Sequence, residues 1–272
     1  MPVALAILIA VALGIRGFVS GDDGATDAGG AAAATEVRVV TAPPPVPAEG
    51  GAPEAIRRKP PPLHEEEKTN PDPEEREPYV QVRPGREAVL HDDPGGEVVG
   101  RVEDRTKFGS PTVLSVAQVR NRWLGVPTPQ LPNGKLGWVR ADPGTLRGGY
   151  TDVRVVVDLS SHEARIRKGT DVLRRWTVTV GAPESPTPTG RFAVTDLFKG
   201  DLNPAYGCCA VALTATQPDL PSGWQGGDRI AFHGTDGALG VDASNGCIRS
   251  ADRDVRAMLG LVPLGAPVLI RR

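Results

Sequence analysis

The sequence predicts a mainly β protein: a small barrel followed by a larger β-rich domain with one short helix. Three observations predict it. From Tyr79 onward, short apolar runs with period-two alternation are separated by clusters of Gly, Pro, Asn and Asp. Only the stretch after Ser250 carries an apolar pattern of helical period. The first 77 positions have no sustained alternation, which leaves about 195 of the 272 residues to build folded cores.

Composition narrows the function. A net charge of -2 and a pI near 6.1 provide no general basic surface for phosphate, so nucleic acid is not the expected partner. Cys208, Cys209 and Cys247 are odd in number, so at least one is a free thiol or pairs with another molecule. Their spacing lacks a C-x-x-C element or any zinc-type His/Cys cluster, and no metal site is expected.

At the N-terminus, "PVALAILIAVALGI" (2–15) is uninterrupted apolar sequence ending at Arg16. With snorkelling by Arg16 and inclusion of Phe18 and Val19 it approaches the ~20 residues a span requires. The charged stretch that precedes a signal peptide's apolar core is missing, as is a clear A-x-A site, so residues 1–20 read as an uncleaved membrane anchor, the alternative being a secretion signal. Residues 21–77, rich in Pro, Ala and Gly, read as a linker. Its Pro-rich parts favour extended polyproline II, and His64 within it is a solvated loop histidine.

Residues 78–145 form the first folded segment. "YVQVRPG", "EAVLHDDPGGEVVGRV", "TVLSVAQVRNRWLGVPTP" and "NGKLGWVRAD" are strands joined by tight turns, with "PNGK" a hairpin turn. The order "AVLHDDPGGEVVGRV", "RWLGV", "GKLGWVRA" resembles bacterial SH3-like domains. Trp123 and Trp138 serve either the core or a ligand-stacking face, with the core favoured in so small a unit. His91, beside Asp92 and Asp93, is expected in an exposed turn.

After a Gly-rich joint, "DPGTLRGGY", the second folded segment spans 150–272. Val153–Leu159 is apolar enough for a buried strand; "EARIRKG" and "VLRRWTVTVG" alternate as half-buried strands around "KGTD", making a β-meander. His162 has no evident partner. In "GAPESPTPTG", Pro183, Pro186 and Pro188 stiffen a loop. "CCAVALTA" and "DRIAFHG" are further strands, then comes the helix, with Ser250 as its cap, Asp252 and Asp254 in its first turn, and Val255, Met258 and Leu259 on its apolar face. "APVLIRR" is the last strand. Cys208 and Cys209 adjoin in an alternating strand, so burial of one is favoured over their pairing; near Cys247 they would form a redox lock.

The chemistry concentrates in "HGTDGALGVDASNGCIRS", His233 to Ser250. A thiol of pKa ~8.5 becomes a nucleophile when a histidine accepts its proton or a helix N-terminus stabilises the thiolate. His233 ends a strand and Cys247 precedes the helix, so both aids are within reach of one cleft. The N–H groups of Gly246 and Cys247 are candidate donors to the oxyanion of a tetrahedral intermediate, which points to acyl transfer.

"HGT" followed by "SNGCIRS", preceded by "VVVDLSSHEARIRKG" and "VGAPESPTPTGRF", resembles the L,D-transpeptidase (YkuD) family over about residues 151–272. The resemblance implies Cys247 as the acyl-accepting nucleophile, His233 as the base, and the Gly234 carbonyl orienting the imidazole. It implies peptidoglycan stem peptides as donor and acceptor, a 3→3 cross-link as product, no metal or cofactor, and acylation of the same thiol by carbapenem-type β-lactams. Many members have histidine where this chain has Asn245; asparagine takes no proton but still hydrogen-bonds. Arg249 is suited equally to a stem carboxylate or to pairing with Asp242. Ser244 shapes the turn or touches substrate, and Tyr206 flanks the donor site or packs. Two other outcomes stay open: an L,D-carboxypeptidase using the same acyl-enzyme, and a peptidoglycan-binding protein without turnover. An extracytoplasmic, membrane-tethered enzyme suits the N-terminal segment.

Overall fold

A computed structural model describes residues 76–200, 202–224 and 227–272. The expected anchor at 1–20, His64 and all but the last two positions of the 21–77 linker lie outside the described residues. No helix among the described residues is long and apolar enough to cross a membrane.

The first segment contains β1 (Glu77–Val82), β2 (Glu87–His91), β3 (Val98–Glu103), β4 (Val113–Ser115), β5 (Gln118–Arg120), β6 (Trp123–Pro127), β7 (Leu136–Arg140) and β8 (Leu146–Thr151). They form a five-stranded sheet, β3-β2-β7-β6-β5, and a three-stranded sheet, β4-β1-β8. Alternation turns Val80, Val82, Leu90, Leu114, Val126, Val139 and Leu146 into one shared core. Trp138 is 3% exposed beneath the Arg120 guanidinium, so it has no free face for a ligand. His91 is not merely exposed: Nδ1 lies 2.8 Å from the Gly96 carbonyl and its ring meets Trp123 edge-on.

The expected Gly-rich joint is not slack chain, because its second half is β8, paired with β1 from Glu77↔Thr151 to Val82↔Leu146. Glycine makes this possible. A Cβ at Gly149 would meet the Tyr79 ring at 2.5 Å, so the bare backbone is what lets that ring lie across the strand.

The second segment contains β9 (Val153–Asp158), β10 (Glu163–Lys168), β11 (Asp171–Thr177), β12 (Val180–Gly181), β13 (Gly190–Lys199), β14 (Cys209–Thr216), β15 (Arg229–Thr235), β16 (Asp242–Ser244), β17 (Ile248–Ala251), helix α1 (Asp252–Leu261) and β18 (Pro267–Arg271). Eight strands run in the order β11-β10-β9-β18-β13-β14-β15-β17, with β12 and β16 paired separately. The expected meander is the β11-β10-β9 end. Central β14 is buried from Cys209 to Ala215, the mark of a strand covered on both faces.

Val155, Val157, Ile166, Val211, Leu213, Phe232 and Ile248 lie in the main core, together with Val255 and Met258 from α1. The helix start differs from expectation in one respect: Ala251 is the N-cap, without a side-chain bond, while Ser250 lies in β17 and accepts a hydrogen bond from Trp176 Nε1 at 3.0 Å. A buried indole N–H needs a partner more than an exposed helix end does. Asp252 and Asp254 occupy the first turn as expected.

Candidate active site

Strands β15 and β17 run parallel, with Phe232 opposite Ile248 and His233 opposite Arg249. Phe232 and Ile248 are fully buried in the core, so alternation turns His233, Arg249 and Cys247 to the other face. Cys247 is one residue before Ile248, hence diagonal to His233 at about 8 Å between Cα atoms from strand spacing and rise. Fourteen residues of sequence separation thus place the two on neighbouring backbone segments.

His233 is 5% exposed, and its Nδ1 lies 2.8 Å from the Gly234 carbonyl oxygen. A carbonyl only accepts, so Nδ1 carries the proton and Nε2 keeps its lone pair. Burial holds the imidazole below its ordinary pKa; the bond to Gly234 opposes this, and the Arg249 charge reinforces it. The neutral base is therefore the resting form.

Gly234 is required by crowding. A Cβ there would meet Asp252 Oδ1 at 2.0 Å and the Cys208 nitrogen at 3.0 Å. The same carboxylate oxygen accepts the Cys208 N–H at 3.1 Å, so α1 clamps the 207–208 segment over the histidine. Tyr206 ends a 3-10 turn, Pro204–Tyr206, and its ring packs edge-on against His233 at 5.1 Å. Burial first, and then the Cys247 charge, raise the pKa of its phenol.

Cys247 is half-buried and is the free cysteine of the chain. Its Sγ lies 3.9 Å from the Arg229 carbonyl oxygen. Burial raises the thiol pKa, against the opposing pull of the Ala231 N–H and the Arg249 charge. The expected help from a helix N-terminus is absent: α1 starts at Asp252, and all of β17 separates it from Cys247.

Ser244, fully buried, donates to the Cys247 carbonyl at 2.6 Å and accepts the Gly246 N–H at 3.1 Å, which makes it the staple of this turn. Gly246 is thereby corrected as an oxyanion donor, since its N–H points inward to that hydroxyl. Its φ of +102° is a left-handed conformation suited to glycine. Asn245 is exposed, with its carbonyl 3.4 Å from Gln217 Nε2. Arg249 makes no ion pair with Asp242, because His162 Nε2 takes that carboxylate at 2.7 Å. The reading of His162 as partnerless is corrected by the same contact.

Long-range contacts supply parts of the site that local sequence did not reveal. Thr187 accepts the Gly181 N–H and donates to the Gly246 carbonyl, each at 2.8 Å, tying the Pro-stiffened loop to the nucleophile turn. Ala182 donates to the Ser244 carbonyl at 2.8 Å. Proline spacing signalled a stiff loop, but nothing local named Thr187 as its attachment.

Cys208 and Cys209 form a disulfide with each other, contrary to the expectation of simple burial. Tight turning at Gly207, whose φ is +61°, brings the chain into that segment. The pair borders a cavity of about 410 Å³ lined also by Lys199, Arg256 and Leu259. Among the described residues no group of three or more His, Cys, Asp or Glu side chains is arranged to hold a metal ion.

Residues 152–270 match the YkuD family model, the L,D-transpeptidase catalytic domain. No curated protein matches the chain. Similar solved structures include an Enterococcus faecium L,D-transpeptidase mutant, at 21% identity over 44% of this chain and 49% of that one, with a TM-score of 0.35. An L,D-transpeptidase from Mycobacterium smegmatis is 16% identical over 57% of this chain and 80% of that one, with a TM-score of 0.37. The L,D-transpeptidase LdtMt1, in complex with imipenem, is 20% identical over 50% and 73%, with a TM-score of 0.38. The chain thus spans about half the length of the first of these.

Proposed function

We propose that the chain, whose residues 152–270 carry a YkuD-family L,D-transpeptidase catalytic domain, forms 3→3 cross-links in peptidoglycan by cysteine acyl transfer. The observation that carries this reading is the neutral His233 imidazole, its Nδ1 proton held by Gly234, on the strand that adjoins β17, which Cys247 immediately precedes.

In the proposed cycle His233 Nε2 takes the thiol proton as Cys247 Sγ attacks the carbonyl of the third stem residue. The new C–S bond creates an oxyanion, for which the Cys247 N–H is the remaining donor once Gly246 is committed to Ser244. Collapse breaks the C–N bond. His233 returns its proton to the departing D-Ala amine, leaving a thioester; an acceptor side-chain amine then attacks, loses its proton to His233, and releases the thiolate. Arg249, free of ion pairing among the described residues and level with His233, is assigned the stem carboxylate. Tyr206 closes the histidine side.

Carbapenems suit the same thiol because ring opening leaves an acyl-cysteine. Residues 78–145, proposed as an SH3-like domain, and the apolar 2–15 stretch, proposed as an anchor, suit an enzyme working in the cell envelope. Incubation with tetrapeptide stems, read by mass spectrometry, tests the proposal. Cross-linked dimers in the wild-type and none in Cys247→Ala support it; trimmed monomers alone favour the carboxypeptidase. Neither product, with no carbapenem adduct, refutes acyl transfer.

A further inference from the structure

We propose that Asn133, in the first segment, is a positioning residue for the Cys247 turn. The inference rests on the acyl-transfer reading for its functional meaning, but its structural basis is independent of it.

Strand β14 is paired with β15 at Thr216↔Arg229, while the ladder of β13 with β14 ends at Val194↔Leu213. Thr216 therefore has an unpaired edge. The turn between β6 and β7 fills it with a single side chain: Asn133 Nδ2 donates to the Thr216 carbonyl at 2.6 Å, and Asn133 Oδ1 accepts the Thr216 N–H at 3.0 Å. A primary amide sets an N–H donor and a carbonyl acceptor side by side in one plane, so it stands in for the peptide group of a missing strand.

The next residue carries the constraint inward. Gln217 is 3% exposed, its N–H donates to the Asp228 carbonyl at 2.7 Å, and its Nε2 donates to the Pro186 carbonyl at 3.0 Å and more weakly to that of Asn245 at 3.4 Å. A Cβ placed on Gly246 would lie 2.2 Å from that same nitrogen. The Gln217 amide is therefore packed directly against the residue preceding the nucleophile. On the other side of the ladder, Arg229, the partner of Thr216, presents its carbonyl to Cys247 Sγ at 3.9 Å. One route from Thr216 ends against Gly246 and the other at the thiol.

Asn133 lies over a hundred positions from Cys247 and in a different sheet, so its role is that of a brace rather than a catalytic residue. Removing it frees the edge of β14, lets Gln217 shift, and loosens the turn that holds Cys247 in its half-buried setting. Loosening has opposite effects on two reactions of one thiol. Acylation by imipenem, which needs the aligned turn, slows; alkylation by iodoacetamide, which needs only an accessible thiolate, speeds up as burial no longer raises the thiol pKa.

The experiment measures both rates at pH 8 by intact-protein mass in the wild-type, Asn133→Ala, Asn133→Asp and Glu77→Gln. Asn133→Ala is expected to slow acylation about fivefold to tenfold, in keeping with the loss of a two-bond contact, and to accelerate alkylation. Asn133→Asp, which keeps the acceptor but sets a carboxylate oxygen where Nδ2 lay 2.6 Å from the Thr216 carbonyl, slows acylation at least as much as Asn133→Ala. Glu77→Gln weakens ion pairs to Arg154 and Arg191 between the same two segments without touching Thr216, and leaves both rates within about twofold. In a Gln217→Ala background, Asn133→Ala slows acylation by less than it does in the wild-type, because only the route through Arg229 remains. Unchanged rates in both Asn133 variants, or equal changes in Glu77→Gln, overturn the proposal. If imipenem fails to acylate even the wild-type while alkylation follows the stated order, the brace stands and the acyl-transfer reading falls.

Discussion

Cys247 is predicted to react as a neutral thiol activated by its base, rather than as a preformed thiolate paired with an imidazolium. Two shifts point this way: burial raises the thiol and lowers His233, so charge separation is disfavoured on both sides. A thiol at or above the usual value of about 8.5 is deprotonated to about 3% or less at pH 7, and its thiolate fraction grows roughly 80-fold to 100-fold between pH 6 and pH 8. A preformed ion pair with a thiol pKa of about 4 would already be saturated over that range.

Absolute rate is the wrong readout, because a thiolate of low pKa is also a poorer nucleophile and the two effects offset one another. The slope decides. Iodoacetamide alkylation followed from pH 5 to pH 10, with Cys247 identified by peptide mapping, is expected to rise tenfold per unit through neutrality and to bend only above about 8.5. His233→Ala leaves this slope in place while lowering transpeptidation by about 10²-fold to 10⁴-fold, since the histidine serves in proton transfer. Arg249→Gln moves the bend upward, as the guanidinium now favours the thiolate. A flat profile from pH 5 to pH 8 would refute the neutral pair and with it the role given to burial.

Four further outcomes follow from the same contacts. Ser244→Ala leaves the Gly246 N–H and one acceptor site on the Cys247 carbonyl without their partner in a buried turn; a loss of about 2–4 kcal/mol, seen as a melting temperature lower by roughly 5–15 °C, is expected. Arg174 donates from Nε at 2.9 Å and Nη2 at 2.6 Å to the buried Asp254 carboxylate, so Arg174→Met leaves that charge only the exposed Arg253 at 3.9 Å and is expected to destabilise by about 3 kcal/mol in urea unfolding, with Arg174→Met/Asp254→Asn recovering part of it. His233, lowered in the fold, contributes stability that is complete above about pH 6.5 and fades as pH falls below it, whereas Cys247, raised in the fold, contributes below about pH 8.5 and fades as pH rises; unfolding at pH 5.5, 7.5 and 9.5 should show both limbs, with the alkaline one reduced in Cys247→Ala. Thiol titration of the unfolded protein before and after a dithiol reductant should count one and then three, and a first count of three would remove the Cys208–Cys209 bond.

The sequence was most legible where chemistry and backbone geometry are local. The bond from His233 Nδ1 to the carbonyl of its own neighbour Gly234 is local, and the apolar alternation in β10 is read from neighbours two residues apart. It was least legible where a side chain answers a distant need. Ser250 suits a helix cap on local grounds, yet a buried Trp176 indole takes its hydroxyl. Asp242 suits Arg249 within one loop, yet His162, eighty residues earlier, reaches it first. Composition misleads at "TLRGGY" too, because a glycine weakens a strand in isolation, yet Gly149 is what admits the Tyr79 ring across β8.

The arrangement around Cys247 also explains why a nucleophile can sit outside regular structure and still be held firmly. Residue 247 precedes β17, so it gains neither a full ladder of strand hydrogen bonds nor a helix dipole. The turn is instead constrained from three directions: internally by Ser244, from the Pro-stiffened loop by Thr187, and from the β14 edge by Gln217. Each contact ends on a backbone group of residues 245 to 247 and none on the thiol itself. The sulfur thus remains available to substrate while its main chain is fixed, and a substitution at Thr187 or Gln217 should alter alignment before it alters the fold, whereas one at Ser244 alters both.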